Sequence, residues 1–560
     1  MIEFGPYRVD APRRVVWRGD ELLPIAPKAA EILAALAERA GQVVTKDELL
    51  ALVWPGVFVE EANLSVNVSA LRKALGTQGD GRPYIQTVHR RGYRFLGEVR
   101  REAHSGPPVL AVLPFASLSA SDAPGLGAGM ADAVITRLAR TGRVIVRPTS
   151  AVLKYAGARD PLAAGRELAA DAVLDGALQR QRDRLRLSVQ LVPLAERLRP
   201  WAAAFDEPYG DLLDVQETVA EKVAAALALE LTADERERLR ARPTRDLAAY
   251  EAYARGRHFW SRFSAGTLQK AFSAFQEAAE KDSAFAAPHA GLADLFIVSG
   301  FSGLVPPREA WRLAGESADR ALVLDPDLPD AHVARAYVRL FASWDFAGAE
   351  ADLSRAVSLD PRSAAAHQWR GLLHAMQGRF AEFEGELHKA RALDPASVVV
   401  ESMEAFLASL VGDSARELEC ASRAAELEPH HFVGHWALGL ALLRSGRRQE
   451  AVAAHRKALE LAESAPLMTA VLARTLAMAG KRREALSLLA RLHAQQSASP
   501  YQVATIHAAL GAKARAIAHL DTAVEARDPW LVWLRVDPML TTLRREARFR
   551  ALVRKVFGRR

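Results

Sequence analysis

The amino-acid sequence predicts a multidomain, mainly α-helical fold with a mixed α+β segment in the middle. Three observations predict this class. Residues recur at a constant interval in the second half of the chain, three short helical patterns and a basic ribbon lie near its start, and strand and helix patterns alternate in between. With 560 residues, half of them hydrophobic, the chain can build three or more cores.

Three helical patterns open the chain after a β-rich stretch. The first spans residues 31–41, and Thr45 followed by Glu48 is typical of a capping box at the start of the second. The third ends at Gly76. Its apolar residues recur at offsets of four, three and four and predict one buried face: Leu64, Val68, Leu71 and Leu75.

The ribbon 84–95, YIQTVHRRGYRF, follows these helices and combines basic with aromatic and β-branched residues. Side chains alternate from Ile85 to Arg90 as in a hairpin strand, and we interpret Gly92 as its turn. The whole region 62–101 carries eight Arg or Lys against two acids, although the net charge of the chain is only +7. Three short helices followed by this ribbon predict a winged helix-turn-helix module.

Residues Phe4 to Leu96 closely resemble the effector domain of the OmpR/PhoB family. The segments ALRKALG (70–76) and TVHRRGYRF (87–95) carry the resemblance. It implies that the third helix lies in the major groove of double-stranded DNA and that the hairpin, or wing, reaches the neighbouring minor groove. Basic side chains there would neutralise phosphates and release counterions.

The resemblance assigns roles to side chains of the helix and the wing. Arg72 and Lys73 are the helix cations, whereas Tyr93 and Phe95 are expected to pack in the core. Small and amide side chains of the helix can meet thymine methyls and base edges. The candidate DNA contacts are Asn63, Val66, Asn67, Ser69, Ala70, Arg72 and Lys73 on the helix and His89, Arg90, Arg91 and Arg94 on the wing.

The sequence also departs from the family pattern. Ala62, Ser69 and Ala70 stand where relatives often carry base-reading arginines, and His89 replaces the usual minor-groove arginine, for which Arg90 is an alternative. The operator sequence therefore does not follow. The competing interpretation is that these arginines form a solvated edge on a fold that has lost its ligand.

Residues 107–231, after a linker at 101–106, show an α+β pattern and resemble the TolB amino-terminal and FlgO-like domains, whose chemistry is unassigned. The segment GLGAGMADA (125–133) raises the possibility of a phosphate loop. It lacks the third glycine of a dinucleotide motif and the Lys-Ser or Lys-Thr of a Walker loop, so a structural turn is favoured. A second linker is expected at 232–245.

Residues 246–529 show a 34-residue sequence period, which is typical of tetratricopeptide repeats. The period is visible in three series: Gly378, Gly412, Gly446 and Gly480; Pro361, Pro395 and Pro429; Ala390, Ala424 and Ala458. About eight repeats are expected, with a longer turn in the second and capping helices at 530–560. Such an α-solenoid presents a concave groove suited to a protein or peptide partner.

Other features are weaker. His430, His431 and His435 lack a completing metal ligand and are expected to be exposed, and nine bases in residues 535–560 are taken as a solvated cap. Cys420 alone excludes an internal disulfide and is interpreted as a small buried residue in a reducing compartment. No secretion signal, membrane span or catalytic signature is recognised. We expect no enzyme, cofactor or metal.

These observations predict a soluble, cytoplasmic, CadC-like transcription regulator in which the winged helix binds promoter DNA and the repeats receive a protein signal. A homodimer on two half-sites is the geometric expectation. No receiver domain for phosphorylation control and no membrane contact are expected. A scaffold whose winged helix does not bind DNA is the alternative, and an ATP-driven regulator using residues 125–129 is the third possibility.

Overall fold

The computed structural model describes residues 2–10, 15–19, 21–23, 25, 27–53, 61–78, 81–88, 91–101, 107–118, 125–156, 160–195, 198–260, 265–463, 465–494 and 499–558. The chain forms two compact units, Met1–Pro107 and Pro108–Arg560. Among the described residues, no helix combines the length and the apolar character that crossing a bilayer requires.

The first unit joins three helices to two small sheets. Its elements are β1 (Ile2–Phe4), β2 (Tyr7–Asp10), β3 (Val15–Arg18), β4 (Glu21–Leu22), α1 (Pro27–Glu38), β5 (Val43–Thr45), α2 (Lys46–Val53), α3 (Glu61–Leu75), β6 (Ile85–Val88), β7 (Gly92–Phe95) and β8 (Arg100–Arg101). One sheet has the order β4-β3-β2-β1-β8 and the other the order β5-β7-β6. Both are antiparallel throughout. This is the predicted winged helix preceded by strands.

The core of the first unit lies between α1, α3 and the strands. The predicted apolar face of α3 is confirmed, since Leu64 and Leu71 are 0% exposed. Four aromatic rings, those of Phe4, Tyr7, Tyr84 and Phe95, lie within 6.1 Å of a neighbour, centroid to centroid. The Tyr7 hydroxyl donates to the Leu75 carbonyl at 2.6 Å and so satisfies the last turn of α3.

The second unit begins with a mixed sheet. Its elements are β9 (Val109–Val112), β10 (Ala116–Ser117), α4 (Leu126–Ala139), β11 (Ile145–Val146), α5 (Thr149–Val152), α6 (Pro161–Glu167), β12 (Ala172–Gln181), β13 (Arg184–Pro193), β14 (Trp201–Pro208), α7 (Leu212–Ala226) and α8 (Ala233–Arg240). The strand order is β11-β9-β12-β13-β14, and β10 pairs with β12. Strand β9 is parallel to both neighbours, whereas β12, β13 and β14 are antiparallel.

The glycine segment before α4 has a packing role. A Cβ at Gly127 would lie 1.9 Å from the Phe115 carbonyl oxygen, and one at Gly129 would lie 2.7 Å from the Ala254 Cβ. Only glycine permits these approaches at the start of α4. The geometry supports the interpretation as a structural turn rather than a nucleotide loop.

The expected linker at 232–245 is corrected, because α8 lies inside it. Thr232 and Glu235 form a capping box at its start, and Leu239 is 1% exposed. The buried Arg137 of α4 donates to the carbonyls of Leu239, Arg240 and Ala241. A guanidinium thus holds the C-terminal end of α8 against the mixed domain.

An α-solenoid of eight helix pairs follows within the described residues. The pairs are α9 (Leu247–Trp260) with α10 (Ala265–Lys281), α11 (Ala286–Ser302) with α12 (Pro307–Leu324), α13 (Pro329–Val338) with α14 (Phe346–Leu359), α15 (Ala364–Met376) with α16 (Phe380–Leu393), α17 (Val398–Val411) with α18 (Ser414–Leu427), α19 (Phe432–Arg444) with α20 (Arg448–Leu461), α21 (Pro466–Met478) with α22 (Arg482–Ala494), and α23 (Pro500–Ala509) with α24 (Lys513–Ala526). The count agrees with the 34-residue period, and Ala390, Ala424 and Ala458 are 0% exposed, as small residues at helix crossings should be.

Two details of the repeats differ from the sequence prediction. The second pair has helices of 17 and 18 residues, so its extra residues lengthen the helices rather than the turn. Of the three histidines, only His430 is exposed. His431 and His435 are half-buried: the first accepts from the Val433 N–H, and Nε2 of the second lies 2.9 Å from the Pro429 carbonyl.

The C-terminal end consists of two 3₁₀ segments, Pro529–Trp533 and Pro538–Leu543, and α25 (Ala547–Phe557). Cys420 is half-buried rather than buried, and burial raises the pKa of its thiol to about 11. Within the described part of the chain, no group of three or more His, Cys, Asp or Glu side chains could hold a metal ion.

Candidate nucleic-acid interface

The helix α3 has two distinct sides. Opposite its buried face, the side chains of Asn63, Ser69, Ala70 and Lys73 are exposed, and that of Val66 is 67% exposed. These residues fall at helical spacing along one side, so a single surface could approach them all. The exposed side carries small groups and one cation, with no acid beyond Glu61 in the first turn.

The amide of Asn67 is bound within its own helix. Its Nδ2 donates to the Asn63 carbonyl at 2.8 Å, and the side chain is half-buried. The Asn63 side chain is exposed, so of the two amides it is the more accessible to a molecule that approaches this side of α3. Ser65 is also exposed on this side, although the sequence did not identify it as a candidate contact. Its hydroxyl lies 3.4 Å from the Tyr93 hydroxyl.

Arg72 is placed differently from Lys73. Its Nε donates to the Ile85 carbonyl at 2.9 Å and its Nη2 to the Thr87 hydroxyl at 2.6 Å. The guanidinium carbon also lies 6.0 Å from the centre of the Tyr93 ring. Arg72 therefore fastens the wing strand β6 to α3, whereas the Lys73 ammonium lies on the exposed side.

The wing is built by β6 and β7, with β7 also paired to β5. Gly92 is the first residue of β7 and pairs with Val88, so the turn precedes it. A Cβ at Gly92 would lie 2.0 Å from the Val44 carbonyl oxygen. The interpretation of Gly92 as the turn residue is thus corrected: its role is to let β5 approach β7.

Among the wing side chains, Arg91 is exposed at the end of the hairpin. Arg94 is half-buried, and its Nε is buried without an acceptor among the described residues. Tyr93 and Phe95 are buried, as the sequence predicted. His89 and Arg90 lie outside the described residues.

An ion pair lies at the start of α3. Lys46 at the start of α2 pairs with Glu61 at 2.6 Å, and this hydrogen bond and charge raise the pKa of Lys46. The pair joins the one acid of α3 to one cation and so leaves the net charge of this region unchanged.

The predicted capping box at the start of α2 is confirmed. The Thr45 N–H donates to the Glu48 carboxylate at 2.8 Å, and the Glu48 N–H donates to the Thr45 hydroxyl at 3.2 Å.

A comparison with protein families matches residues 19–95 to "transcriptional regulatory protein, C terminal". These residues are an OmpR/PhoB-type DNA-binding domain. Residues 106–198, which follow the OmpR/PhoB-type domain, match "HilA/YgeH-like transcriptional regulator, second domain". The combination of modules is therefore one found in transcriptional regulators.

Individual relatives share parts of this chain. HilA, a transcriptional regulator of Salmonella typhimurium, is 24% identical over 319 residues, which are 56% of either chain. A Rhizobium meliloti protein named adenylate cyclase 3 is 30% identical over 219 residues, 38% of this chain and 37% of its own. The solved DNA-binding domain of Escherichia coli CadC is 29% identical, with a TM-score of 0.17; the match covers 18% of this chain and 94% of that domain. The chain thus spans between about a third and about half of these two curated relatives.

Replacement of Arg72 tests whether this residue stabilises the OmpR/PhoB-type domain by attaching the wing to α3 or only contributes a positive charge. We expect Arg72→Ala to lower the free energy of unfolding by about 1–2 kcal/mol, because the Ile85 carbonyl and the Thr87 hydroxyl lose a charged donor. Lys73→Ala removes the same charge from the exposed side and should change stability by less than about 0.5 kcal/mol. Thermal unfolding of both full-length variants measures the difference; equal stabilities would contradict the assignment.

Proposed function

We propose that this protein is a transcriptional regulator whose OmpR/PhoB-type domain binds promoter DNA. The observation that carries the proposal is the exposed side of α3, where Asn63, Val66, Ser69 and Ala70 stand beside Lys73 and opposite a fully buried face. In the proposed complex this side enters the major groove. Short side chains allow the helix to approach the base edges closely, and Val66 and Ala70 suit thymine methyl groups.

The cations of the proposed interface position the helix rather than read sequence. Lys73 and Arg91 are exposed and are proposed to contact phosphates, with Arg90, His89 and Arg94 as further wing contacts. Arg72 contributes through the wing it holds and only secondarily through its charge. Two copies on half-sites about one helical turn apart would follow the geometry of winged-helix dimers.

The repeat array is proposed to receive a protein or peptide partner, and the mixed domain to couple it to the winged helix. Stacked helix pairs offer a long concave surface, and nothing in the proposal requires chemistry of their side chains. The chain is not proposed to be an enzyme. The alternative remains a repeat scaffold in which the winged helix does not bind DNA.

The salt dependence of duplex binding tests this proposal. For the full chain on a mixed-sequence duplex, log Kd should rise linearly with log salt concentration, because phosphate neutralisation releases counterions. The double variant Lys73→Ala/Arg91→Ala should lower that slope by about two, one for each phosphate contact removed. Fluorescence anisotropy with a labelled duplex at several salt concentrations measures it.

A charge-matched control locates the effect. Arg448→Ala/Arg483→Ala removes two exposed cations from the repeats and should leave the slope unchanged. An equal slope for the wild type and the Lys73/Arg91 variant, or salt-independent binding, would favour the scaffold. If the slope falls as expected, genome-wide mapping of binding sites would identify the operator, which the sequence does not define.

A further inference from the structure

The concave side of the repeat array is occupied by the chain itself. After α24 the chain forms the 3₁₀ segment Pro529–Trp533, with the uncharged sequence PWLVW, which we call the strap. The sequence prediction placed residues 530–560 at the end of the stack as a cap. The structure instead brings the strap into contact with repeats far from it in sequence.

Aromatic contacts define where the strap lies. The Trp530 ring packs edge-on against Phe301 at 5.7 Å and Trp436 at 6.3 Å between centroids. Trp533 packs edge-on against Phe406 at 5.3 Å. Phe301, Phe406 and Trp436 belong to α11, α17 and α19, each the first helix of its pair. First helices line the concave side of such solenoids, so the strap lies in the groove.

The strap contributes to two apolar clusters. Val532 is 0% exposed and belongs to the apolar cluster that includes Phe341 and Leu407 of the groove. Leu531 of the strap and Leu534, which follows it, belong to a different apolar cluster that contains Tyr501 and the C-terminal elements. The strap therefore joins the last repeat to the groove of the earlier ones, as a bound apolar peptide would.

Contacts on both sides of the strap hold the same arrangement. Arg308, at the start of α12, donates to the Glu525 carbonyl at 2.7 Å, and the Arg527 guanidinium lies 4.1 Å from the Trp344 ring centre. Farther along, the Phe557 ring of α25 lies 5.3 Å from that of Phe346. These contacts hold the second and third helix pairs against the end of the eighth pair and against α25.

The fit of the strap is incomplete. A pocket of about 610 Å³ that is partly open to solvent lies beside Trp530, and its lining includes Phe301, Val305, Pro306, Leu467 and Gln502. The Nε1 of Trp436 is buried and has no acceptor among the described residues. An unsatisfied buried donor is unfavourable, so a better-fitting occupant with a carbonyl at this point would bind more tightly.

We propose that the strap is an internal ligand of the groove, and that the partner of the array carries a short uncharged segment with two aromatic anchors three residues apart, like Trp530 and Trp533. Such a partner binds by displacing the strap. This inference rests on the proposed role of the array as a partner receptor and adds the chemistry of the partner and the competitor it must remove.

Binding of a labelled peptide with the sequence of residues 527–537, RDPWLVWLRVD, to the full chain tests the proposal. The variant Trp530→Ala/Trp533→Ala weakens the strap in place and should bind the peptide at least about tenfold more tightly than the wild type does. Trp201→Ala, which removes a half-buried tryptophan from β14, is the matched control and should behave as the wild type. Equal affinities for wild type and double variant, or no binding by a folded double variant, would overturn the proposal.

A second measurement covers a double variant that does not fold. In the wild type, excess peptide should accelerate amide hydrogen exchange of residues 530–534 as the strap leaves the groove, and unchanged exchange would overturn the proposal. A peptide with both tryptophans replaced by alanine should have no effect. Both readouts are independent of DNA, so a failure here leaves the salt-slope result standing, and a flat salt slope leaves this result standing.

Discussion

Gly92→Ala is expected to destabilise the first unit by about 3 kcal/mol and to abolish its proposed DNA binding. The added Cβ would lie 2.0 Å from the Val44 carbonyl oxygen and 2.8 Å from the Thr45 Cα. Both atoms belong to the backbone of β5, which cannot rotate away as a side chain can. Relief requires β5 to separate from β7, which breaks the pairing of Val43 to Thr45 with the wing.

The damage should spread to the proposed DNA-binding surface. Thr45 ends β5 and also caps α2 through Glu48, and β7 holds the hairpin that Arg72 ties to α3. The wing (β6 and β7) would then no longer be held in place beside α3. Calorimetry of the full chain should show the first unit unfolding roughly 10–20 °C lower, with faster hydrogen exchange at residues 43–45 and 92–95.

Gly210→Ala provides the control for this substitution. Its Cβ would have no atom within 4 Å, and the residue lies in the turn after β14 of the second unit. We expect no loss of stability and unchanged duplex binding. If Gly92→Ala unfolds at the wild-type temperature, the close approach of β5 does not determine the glycine at this position.

Local patterns predicted the elements of the first unit because their causes are local. The face of α3 follows from the offsets of Leu64, Val68, Leu71 and Leu75, and the capping box from Thr45 and Glu48. The different roles of Arg72 and Lys73 could not be predicted in the same way. They depend on which side of the helix receives the wing, and that is fixed by contacts between residues 13 and 15 positions apart.

Long-range contacts account for the errors in the second unit. Residues 232–245 look like a polar linker, yet Leu239 is buried and Arg137, about a hundred residues away, holds the end of α8. The segment PWLVW ends the repeat period and was predicted to be part of a cap. An apolar run of this kind shows that it will be buried, but its sequence does not say against which repeat.

Arg147 shows how a buried cation joins the mixed domain to the repeats. It follows β11 and is 3% exposed. Its guanidinium donates to the carbonyls of Leu168 and Ala169, at the end of α6, and of Ala392 and Leu393, at the end of α16. Burial lowers the pKa of Arg147 to about 10, so it remains protonated at neutral pH and suits the negative ends of two helix dipoles.

Arg147→Met is therefore expected to lower the free energy of local opening at residues 168–170 and 392–394 by about 3–5 kcal/mol, because four carbonyls lose a charged donor, and the hydrogen bonds to Leu168 and Leu393 are buried. Methionine retains an apolar stem, so the loss reports the guanidinium rather than packing. Hydrogen exchange on the full chain measures it. Arg143→Ala, four residues earlier, removes a half-exposed ion pair with Glu235 and should lose less than about 1 kcal/mol. If both variants exchange alike, Arg147 does not link the two domains.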